Sequence, residues 1–528
     1  MSDLDARSAE SWSRFDLPVS VDDLQDWLVT GASIPDLFVQ QAEKNPGRLA
    51  LSVGDDSVTY EQLHQWCSRI AGWLIGRGVK RGDRVLVVGR NSLNLIAACL
   101  ATMYAGAVEV VAGPMSTARE LAHIASDARP TAVIADRGLL ELVDPSLREA
   151  PASLPMDEVS PKSRPIRRAN PVPPPGMRSD ELAAIQYTSG TTGRPKGAAL
   201  THGNLVAYLR AVHLAWKWRD SDVLLHSLPL AHGHGRNGVY TALLAGATCV
   251  VLPKTDTAAI QETIRSSKAA IFYAVPAIWE RILTDPKLRP SEFGGLRLFT
   301  SGSSPLDVGL AERIRQRLGE FPLERYGSTE TGIVTTNPLE GPRIPGTVGR
   351  AMPGAEVRVV RGDGSPAPDG EIGEVVVRGP SVLHGYWGIE EGGADARGWY
   401  RTGDLGYFDP QRGGYLVIAG RTRDMIITGG VNVYPKEIED VALELASIRE
   451  VAVAGIPSAR WGEEVVMAVV PRDPATFDQG DLVRHLRKQL AAYKVPKQIR
   501  VVDGLPRNEV GKVSRKDVVD LWEKWSTP

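Results

Sequence analysis

Hydrophobic residues recur along the chain at two alternating spacings, one typical of helices and the other of short buried strands. Helical spacing covers 35–44, 60–77 and 93–104, and short apolar runs at 84–88 and 132–135 predict strands. Because helices and strands alternate repeatedly, the pattern indicates parallel sheets covered by helices. We therefore predict an α/β fold whose large N-terminal domain consists of stacked parallel αβ subdomains.

The spacing changes further along the chain. Residues 151–175 are rich in proline and serine, which predicts an extended surface connection. Between 346 and 379, short strands separated by Gly, Pro and Asp indicate a small antiparallel sheet or β-barrel. The last part of the chain returns to a compact mixture of helices and strands, typical of a small α+β domain. We divide the chain into 1–420, a linking segment at 421–423, and 424–528.

Composition excludes several classes of protein. Lys and Arg total 61 against 63 Asp and Glu, a balance that excludes charge-driven nucleic-acid binding. Cys67, Cys99 and Cys249 lie far apart in apolar surroundings, so they predict neither disulfides nor metal ligands. The apolar run 95–111 contains a central glycine and a glutamate, and we interpret it as a buried helix, a turn and a strand rather than a membrane span. An acidic N-terminus argues against a secretion signal and favours a cytoplasmic location.

The stretch 187–198, YTSGTTGRPKGA, carries the clearest chemical signal. It places three glycines, four Ser or Thr hydroxyls and one lysine directly after an apolar strand at 182–185. Such a loop can bind phosphate oxygens through its N–H and O–H groups, while Lys196 adds a positive charge. It is not a Walker loop, because no Gly-Lys-Ser/Thr stands at the required spacing. On composition alone, an ordinary Gly/Ser/Thr turn stays an equal alternative.

The residues of this loop resemble the phosphate-binding signature of the adenylate-forming superfamily, which includes acyl-CoA synthetases, peptide-synthetase adenylation domains and luciferases. Other segments resemble further motifs of the superfamily in the same order. They are YGSTE (326–330) for adenine and magnesium, WYRTGD (399–404) for ribose, the hinge from 420 onward, and PRNEVGK (506–512) for the catalytic lysine. The sequences of the segments LERYGSTE, RIPGTVGRAMPG and GGVNVYPKEIED most resemble those of malonyl-CoA synthetases.

The resemblance implies an ATP-dependent ligase that forms an acyl adenylate, uses Mg²⁺ and coenzyme A, and rotates a mobile C-terminal domain between two half-reactions. Lys512 would be catalytic, together with Thr329, which would contact the α-phosphate, and Glu330, which would bind magnesium. Asp404 would accept hydrogen bonds from the ribose hydroxyls. Arg423 departs from the Asp or Lys usual at the hinge, which leaves its role open. The implied ATP- and coenzyme-binding residues are Thr188, Ser189, Gly190, Thr191, Thr192, Gly193, Lys196, Tyr326, Gly327, Ser328, Asp404, Arg421, Gly429 and Gly430.

The acid pocket is expected near three segments that flank the nucleotide motifs in the superfamily. The candidate pocket residues are His232, Arg236, Ser301, Gly302 and Arg325. Arg325 stands where malonyl-CoA synthetases also carry an arginine for the distal carboxylate, which favours a small dicarboxylic acid. Arg236 and Ala231 depart from the aliphatic and aromatic residues usual in that group.

These departures keep a second enzymatic hypothesis open, an ATP-dependent diazotase that activates nitrite through AMP and delivers it to an aromatic amine. Loading of a carrier protein is a third possibility. A non-catalytic nucleotide-binding module is a different class, and the intact set of Lys196, Glu330, Asp404 and Lys512 argues against it. We expect a small acid, ATP and coenzyme A as partners, with no nucleic acid and no membrane. The sequence predicts no oligomeric state.

Overall fold

Helices and strands alternate through most of the computed structural model, which describes residues 6–31, 33–188, 195–253, 256–428, 431–458, 460–507 and 513–526. The helices before residue 340 are α1 (Ala6–Trp12), α2 (Leu24–Val29), α3 (Ile34–Lys44), α4 (Tyr60–Gly76), α5 (Leu93–Tyr104), α6 (Ala118–Ala128), α7 (Arg137–Leu140), α8 (Pro145–Arg148), α9 (Arg164–Arg168), α10 (His202–Ala215), α11 (Gly233–Leu244), α12 (Thr257–Ser267), α13 (Pro276–Thr284) and α14 (Val308–Leu318). The strands of this part are β1 (Leu49–Val53), β2 (Asp56–Thr59), β3 (Arg84–Val88), β4 (Val108–Ala112), β5 (Ala132–Ala135), β6 (Leu154–Pro155), β7 (Leu182–Thr188), β8 (Lys196–Thr201), β9 (Val223–His226), β10 (Thr248–Val251), β11 (Ile271–Ala274), β12 (Leu298–Ser301), β13 (Leu323–Ser328) and β14 (Gly332–Thr336).

The rest of the chain is richer in strands. Its strands are β15 (Arg350–Ala351), β16 (Glu356–Val360), β17 (Gly373–Arg378), β18 (Gly385–Tyr386), β19 (Tyr400–Asp409), β20 (Tyr415–Arg421), β21 (Ile426–Thr428), β22 (Val431–Val433), β23 (Ile448–Ser458), β24 (Gly462–Pro471) and β25 (Gln498–Val501). Its helices are α15 (Pro435–Leu443), α16 (Gln479–Gln489) and α17 (Arg515–Ser526).

Capping residues determine where several helices begin. A threonine precedes each of α4, α6 and α10, and its hydroxyl accepts a hydrogen bond from the backbone N–H three residues later. The side chain at that third position bonds back to the threonine N–H, which completes a capping box. Such caps typically stabilise a helix by about 1 kcal/mol, so these polar residues place the helix starts as firmly as the apolar spacing does.

Two mixed sheets form the bulk of the N-terminal part. The large sheet has the strand order β15-β14-β13-β12-β11-β9-β10-β1-β2, and the companion sheet has the order β18-β8-β7-β4-β3-β5-β6. Strands β13, β12, β11, β9, β10 and β1 run parallel, as do β7, β4, β3, β5 and β6. Helices α5 and α10 contact strands of both sheets, so they lie in the layer between them. The prediction of stacked parallel αβ subdomains is confirmed.

Two smaller sheets follow. Strands β16-β17-β19-β20 form an antiparallel sheet, which is the form taken by the predicted small sheet or barrel. From β21 onward, strands β22-β21-β24-β23 form the C-terminal sheet, with β25 parallel to β24. This part has cores of its own, one around Ile438 and Leu482 and another around Trp522. Within the described ranges, every helix is too short or too polar to cross a membrane.

The predicted extended connection at 151–175 was wrong for residues 151–168. It contains β6, a 3₁₀ turn at Met156–Val159 and helix α9. The reason is that Met156, Val159 and Ile166 are buried in the core, and the Trp66 indole donates a hydrogen bond to the Val159 carbonyl at 2.8 Å. These well-separated apolar residues dock the segment against the helical layer, whereas the proline-rich end runs without helix or strand.

Candidate functional site

The phosphate-loop candidate lies at the end of β7, where that strand turns back into the antiparallel strand β8. Thr188 ends β7 and Lys196 begins β8. Ser189, Gly190, Thr191, Thr192 and Gly193 lie outside the described residues.

Helix α6 contacts both ends of the loop. The Asp127 carboxylate accepts a hydrogen bond from the Tyr187 hydroxyl at 2.5 Å, and His123 Nε2 donates to the Pro195 carbonyl at 2.8 Å. Because His123 and Asp127 are four residues apart, they lie on one face of that helix.

The predicted magnesium ligand Glu330 is held by two hydroxyl groups. Thr188 Oγ1 donates to Glu330 Oε1 at 3.3 Å, and the Tyr386 hydroxyl donates to the same oxygen at 3.0 Å. Tyr386 also contacts the Tyr400 hydroxyl at 3.0 Å, and its ring centroid lies 5.6 Å from Lys196 Nζ. Burial, followed by the nearby Glu330 charge, raises the pKa of Tyr386, so its hydroxyl keeps the proton that it donates.

The side chains of Glu330 and Lys196, which carry opposite charges, thus both lie beside the Tyr386 phenol. Tyr386 touches both the carboxylate that is expected to bind magnesium and the lysine that is expected to bind phosphate. The sequence motifs did not identify Tyr386, although Tyr400 lies inside the quoted WYRTGD segment. A tyrosine in the sequence Gly-Tyr-Trp-Gly, close before that segment, was the available signal.

The predicted adenine and ribose residues converge at one place. The Tyr326 hydroxyl donates to Asp404 Oδ2 at 2.6 Å, and Arg421 Nε lies 3.2 Å from Asp404 Oδ1. β13 carries Tyr326, whereas neighbouring strands β19 and β20 place Asp404 opposite Arg421. Two sequence-predicted residues, Tyr326 and Arg421, therefore both contact the carboxylate of a third, Asp404, although the three are distant along the chain.

A tight turn follows Tyr326. A side chain on Gly327 would lie 1.9 Å from the Gly332 carbonyl oxygen, so only glycine is accommodated there. The Ser328 hydroxyl accepts a hydrogen bond from the Glu330 N–H at 3.2 Å, and Thr329 is half-buried between them. The turn holds Glu330 beside the end of β7, as the predicted magnesium role requires.

The candidate acid pocket centres on Arg325, whose side chain is buried. His234 accepts a hydrogen bond from Arg325 Nη2, and Nδ1 of the same imidazole lies 2.5 Å from the Ser303 hydroxyl. Burial lowers the pKa of the Arg325 guanidinium, and no carboxylate among the described residues pairs with it. Within that part of the chain, Arg325 Nε also has no hydrogen-bond partner.

A glycine lies directly against this guanidinium. A side chain on Gly302 would lie 2.8 Å from Arg325 Cζ, so glycine is required for the two to approach. Ser301 ends the neighbouring strand β12, and its buried hydroxyl has no partner among the described residues. The predicted pocket residues Ser301, Gly302 and Arg325 are thus brought together at the carboxyl ends of β12 and β13, where open α/β sheets bind ligands.

Arg236 has a partner that the sequence analysis missed. Its Nε lies 2.5 Å from Glu109 Oε1, and Tyr240 donates to Glu109 Oε2 at 2.8 Å. Burial opposes the charge of Arg236, but Glu109 holds the pKa of the guanidinium above its usual value. The cavity beside it measures about 10 Å³, the lower limit for one water molecule. This arrangement does not support the predicted contact between Arg236 and a small anion, because Glu109 already neutralises the guanidinium.

The predicted pocket histidine, His232, precedes the first residue of α11 and is half-buried. Among the described residues, no group of three or more His, Cys, Asp or Glu is placed to hold a metal ion.

The edge of the site toward the C-terminal part carries a buried acid. Glu324 precedes Arg325, and its Oε1 accepts a hydrogen bond from Gly346 N at 3.3 Å. Burial raises the pKa of Glu324 to about 8; the Gly346 bond and Lys436 on α15 oppose the rise, whereas Asp307 and Asp440 add to it. Glu324 therefore connects the strand of the acid pocket electrostatically to the C-terminal part.

The residues expected to act from the C-terminal part are Gly429, Gly430 and Lys512, and all three lie outside the described residues. Arg423 Nε lies 3.6 Å from Asp424 Oδ1. Arg515 donates to the same aspartate at 3.0 Å and also to Glu439, which joins the 3₁₀ turn at Thr422–Asp424 to the start of α17. Arg423 thus stands beside an ion-pair network at the predicted hinge.

Comparison with known proteins matches nearly the whole chain. The AMP-binding enzyme family matches residues 38–387, and the AMP-binding enzyme C-terminal domain matches residues 437–512. The chain is 34% identical to the indoleacetate–CoA ligase of Aromatoleum aromaticum over 91% of this chain and 96% of that protein. It is 35% identical to the mitochondrial malonate–CoA ligase ACSF3 of Mus musculus over 84% of this chain and 83% of that protein. The crystal structure of ATP-bound MatB from Rhodopseudomonas palustris superposes with a TM-score of 0.87 at 35% identity, covering 94% of this chain and all of that one.

Proposed function

The chain belongs to the AMP-binding enzyme family, and on that premise we propose that it is an acid–thiol ligase for a small dicarboxylic acid. The acid is activated with ATP as an acyl adenylate, with release of pyrophosphate, and is then transferred to the thiol of coenzyme A. Relatives of similar identity carry the names of malonate and indoleacetate ligases, so overall similarity does not select the acid. The observation that supports a diacid is the buried guanidinium of Arg325, for which the described residues supply no carboxylate.

The physical argument concerns charge. A guanidinium removed from water is costly unless an anion compensates for it. His234, which accepts a hydrogen bond from Arg325, supplies no negative charge. The second carboxylate of a diacid would provide that compensation through charge-assisted hydrogen bonds to the planar fork. Gly302, which directly follows β12, lies against this guanidinium at the strand ends beside Tyr326.

The first half-reaction needs two anions to meet. A carboxylate must attack the α-phosphate of a polyanion, so the site has to hold both in line and lower their repulsion. We assign Lys196 and the loop after β7 to the phosphates, Tyr326 to adenine, and Asp404 to the ribose hydroxyls. In support of the ribose assignment, the hydrogen bond from Tyr326 and the ion pair with Arg421 orient the Asp404 carboxylate.

Magnesium fits the same arrangement. Glu330 is a hard oxygen ligand oriented by two hydroxyl donors, and Mg²⁺ commonly takes one or two carboxylates and completes its shell with phosphate oxygens and water. A bound Mg²⁺ would supply charge neutralisation at the phosphates. The chain's own contribution is to hold the Glu330 carboxylate in position.

We further propose that Lys512 acts in adenylate formation and that the part from residue 424 onward turns about 421–423 before the thiol attacks. In support, residues from β21 onward have separate cores, so they can move as a unit. Gly429 and Gly430 would then let the pantetheine arm approach. A cytoplasmic location stays a prediction.

The test is an assay of pyrophosphate release with the full chain, ATP and Mg²⁺. The acids would be malonate, succinate, propionate and indoleacetate, each with and without coenzyme A, and mass spectrometry would identify the thioester. We expect release with a small diacid and thioester only when coenzyme A is present. Equal activity with propionate and malonate would contradict the diacid assignment.

The diazotase hypothesis is not favoured. It rested on Ala231 as space for an aromatic substrate and on Arg236 as the binding group for a small anion. That guanidinium is neutralised by Glu109 beside a cavity of about 10 Å³. A further reaction with nitrite and an aromatic amine in the same assay would test it directly. Turnover that required nitrite and ignored every acid would replace our proposal.

A further inference from the structure

The first turn of α11 lies between the two sheets and contacts each of them through a different side chain. His234 and Arg236 are two residues apart, so in a helix they project about 200° from each other. His234 reaches Arg325 on β13 of the large sheet, whereas Arg236 reaches Glu109 on β4 of the companion sheet. This turn is therefore a cross-brace between the sheets, at the edge of the acid pocket.

On the companion-sheet side, the brace is a closed polar cluster of Glu109, Arg236 and Tyr240. The side chain of Glu109 is fully buried and that of Arg236 is 5% exposed. The two oxygens of Glu109 are divided between the Arg236 guanidinium and the Tyr240 hydroxyl. Each member thus has its partner inside the fold, which is what a buried charge requires.

The same guanidinium also fixes the backbone that leads into α11. Arg236 Nη1 donates to the Leu230 carbonyl at 3.1 Å and to the Ala231 carbonyl at 3.4 Å. From the opposite side, Asn91 Oδ1 accepts from Leu230 N at 2.9 Å. A side chain on Gly235 would lie 2.1 Å from the Pro229 carbonyl oxygen, so the loop and the helix start are in close contact. A shift of Arg236 would consequently shift the loop and His234 with it.

On the large-sheet side, the His234 imidazole orients Arg325. A guanidinium can only donate, so Nε2 of His234 must carry a lone pair toward it. The neutral ring then carries its proton on Nδ1 and donates to the Ser303 hydroxyl at 2.5 Å. With both ring nitrogens used, the position of His234 determines where the Arg325 fork points.

We propose that the buried cluster of Glu109, Arg236 and Tyr240 is a positioning element for acid selectivity, acting through His234 on Arg325. The inference rests on the proposed function, since it assumes that Arg325 receives the second carboxylate of the acid. A buried ion pair is weak evidence for stability, because an apolar replacement of similar volume is often as stable. A role in holding α11, and with it His234, at a fixed position relative to Arg325 accounts for the presence of this ion pair.

The test replaces the cluster as a whole, with Arg236→Met, Glu109→Leu and Tyr240→Phe in one variant. The measured quantity is the ratio of kcat/KM for malonate to kcat/KM for propionate. We expect this ratio to fall at least tenfold because the KM for malonate rises. The KM for ATP should stay within twofold of the wild type. Loss of fold or of general activity would lower kcat/KM equally for both acids and leave the ratio unchanged.

A matched control is the pair of Arg378 and Glu356 in the small antiparallel sheet, where Arg378 Nε lies 2.8 Å from Glu356 Oε1, Glu356 is buried and the Arg378 side chain is 20% exposed. Its replacement with Arg378→Met and Glu356→Leu should leave the acid ratio within twofold of the wild type. A fall equal to that of the cluster variant would show that any buried pair has this effect, and would overturn the inference.

The single change Tyr240→Phe tests the same inference without removing a charge. It should lower the acid ratio two- to fivefold in the wild-type background and have no further effect in a His234→Ala background, because coupled residues are not additive. Additive effects, or an unchanged ratio in a folded cluster variant that has wild-type activity with propionate, would overturn the inference. If the wild type itself does not distinguish malonate from propionate, it is the proposed function that fails.

Discussion

Removing the charge of Arg325 should specifically impair the use of a diacid. In Arg325→Met an unbranched apolar side chain replaces the aliphatic part of the arginine, but the guanidinium that the second carboxylate would contact is lost. Hydrogen bonds to charged groups contribute about 1.5–3 kcal/mol, which corresponds to a rise of roughly 10- to 150-fold in the KM for malonate. Among the described residues, the buried Arg325 Nε has no hydrogen-bond partner and Nη2 bonds a neutral histidine, which places the loss within this range. Steady-state pyrophosphate release at varied malonate measures it.

Two controls make the result specific. Arg325→Lys keeps a charge but loses the planar fork, so its KM for malonate should lie between those of the wild type and Arg325→Met. Arg343→Met removes another partly buried arginine, whose Nη1 bonds the Phe321 carbonyl at 2.6 Å, and should leave the acid KM within twofold. An unchanged malonate KM in Arg325→Met, or an equal rise in the KM for ATP, would refute the reasoning.

Three further outcomes follow from the site. Lys512→Ala should abolish adenylate formation but retain ATP binding and thioester formation from a supplied acyl adenylate; parallel loss of both half-reactions would contradict its role. Tyr386→Phe should raise the Mg²⁺ concentration needed for half-maximal rate about three- to tenfold, because a hydrogen bond worth roughly 0.5–1.5 kcal/mol no longer orients Glu330; an unchanged Mg²⁺ dependence would argue against that contact. The folded-state pKa of Glu324, about 8, lies above that of an exposed glutamate, so its protonated form favours folding and this contribution is lost as the pH rises through 8. Between pH 7 and 9 the wild type should lose about 1.4 kcal/mol of unfolding free energy that Glu324→Gln retains, and equal pH profiles in denaturant titrations would exclude this.

Hydrophobic spacing predicted most of the fold, because a long periodic pattern of apolar residues can be buried by only a few arrangements of helices and strands. The predicted helices 60–77 and 93–104 correspond to α4 and α5, and the predicted strands 84–88 and 132–135 correspond to β3 and β5. The failure at 151–175 has a local cause. Proline and serine indicate turns, but isolated apolar residues such as Val159 are buried only because distant helices receive them.

The residues of the candidate site that lie within short contiguous motifs could be predicted from the sequence. Tyr326, Asp404 and Arg421 were identified from separate segments and do converge. Glu109 was not, since it lies 127 residues from Arg236 and looks like one polar residue in an apolar strand. Its buried position becomes reasonable only when a charged partner from another element is known.

The central claim is that the enzyme forms an adenylate from a small acid that carries a second negative charge. Exchange of labelled pyrophosphate into ATP, without coenzyme A, measures adenylate formation alone, and malonate and its monomethyl ester differ mainly in that second charge. We predict acid-dependent exchange with malonate and a kcat/KM for exchange at least about tenfold lower with the ester, equivalent to roughly 1.4 kcal/mol. Equal exchange with both acids, or no exchange with either, would contradict the account.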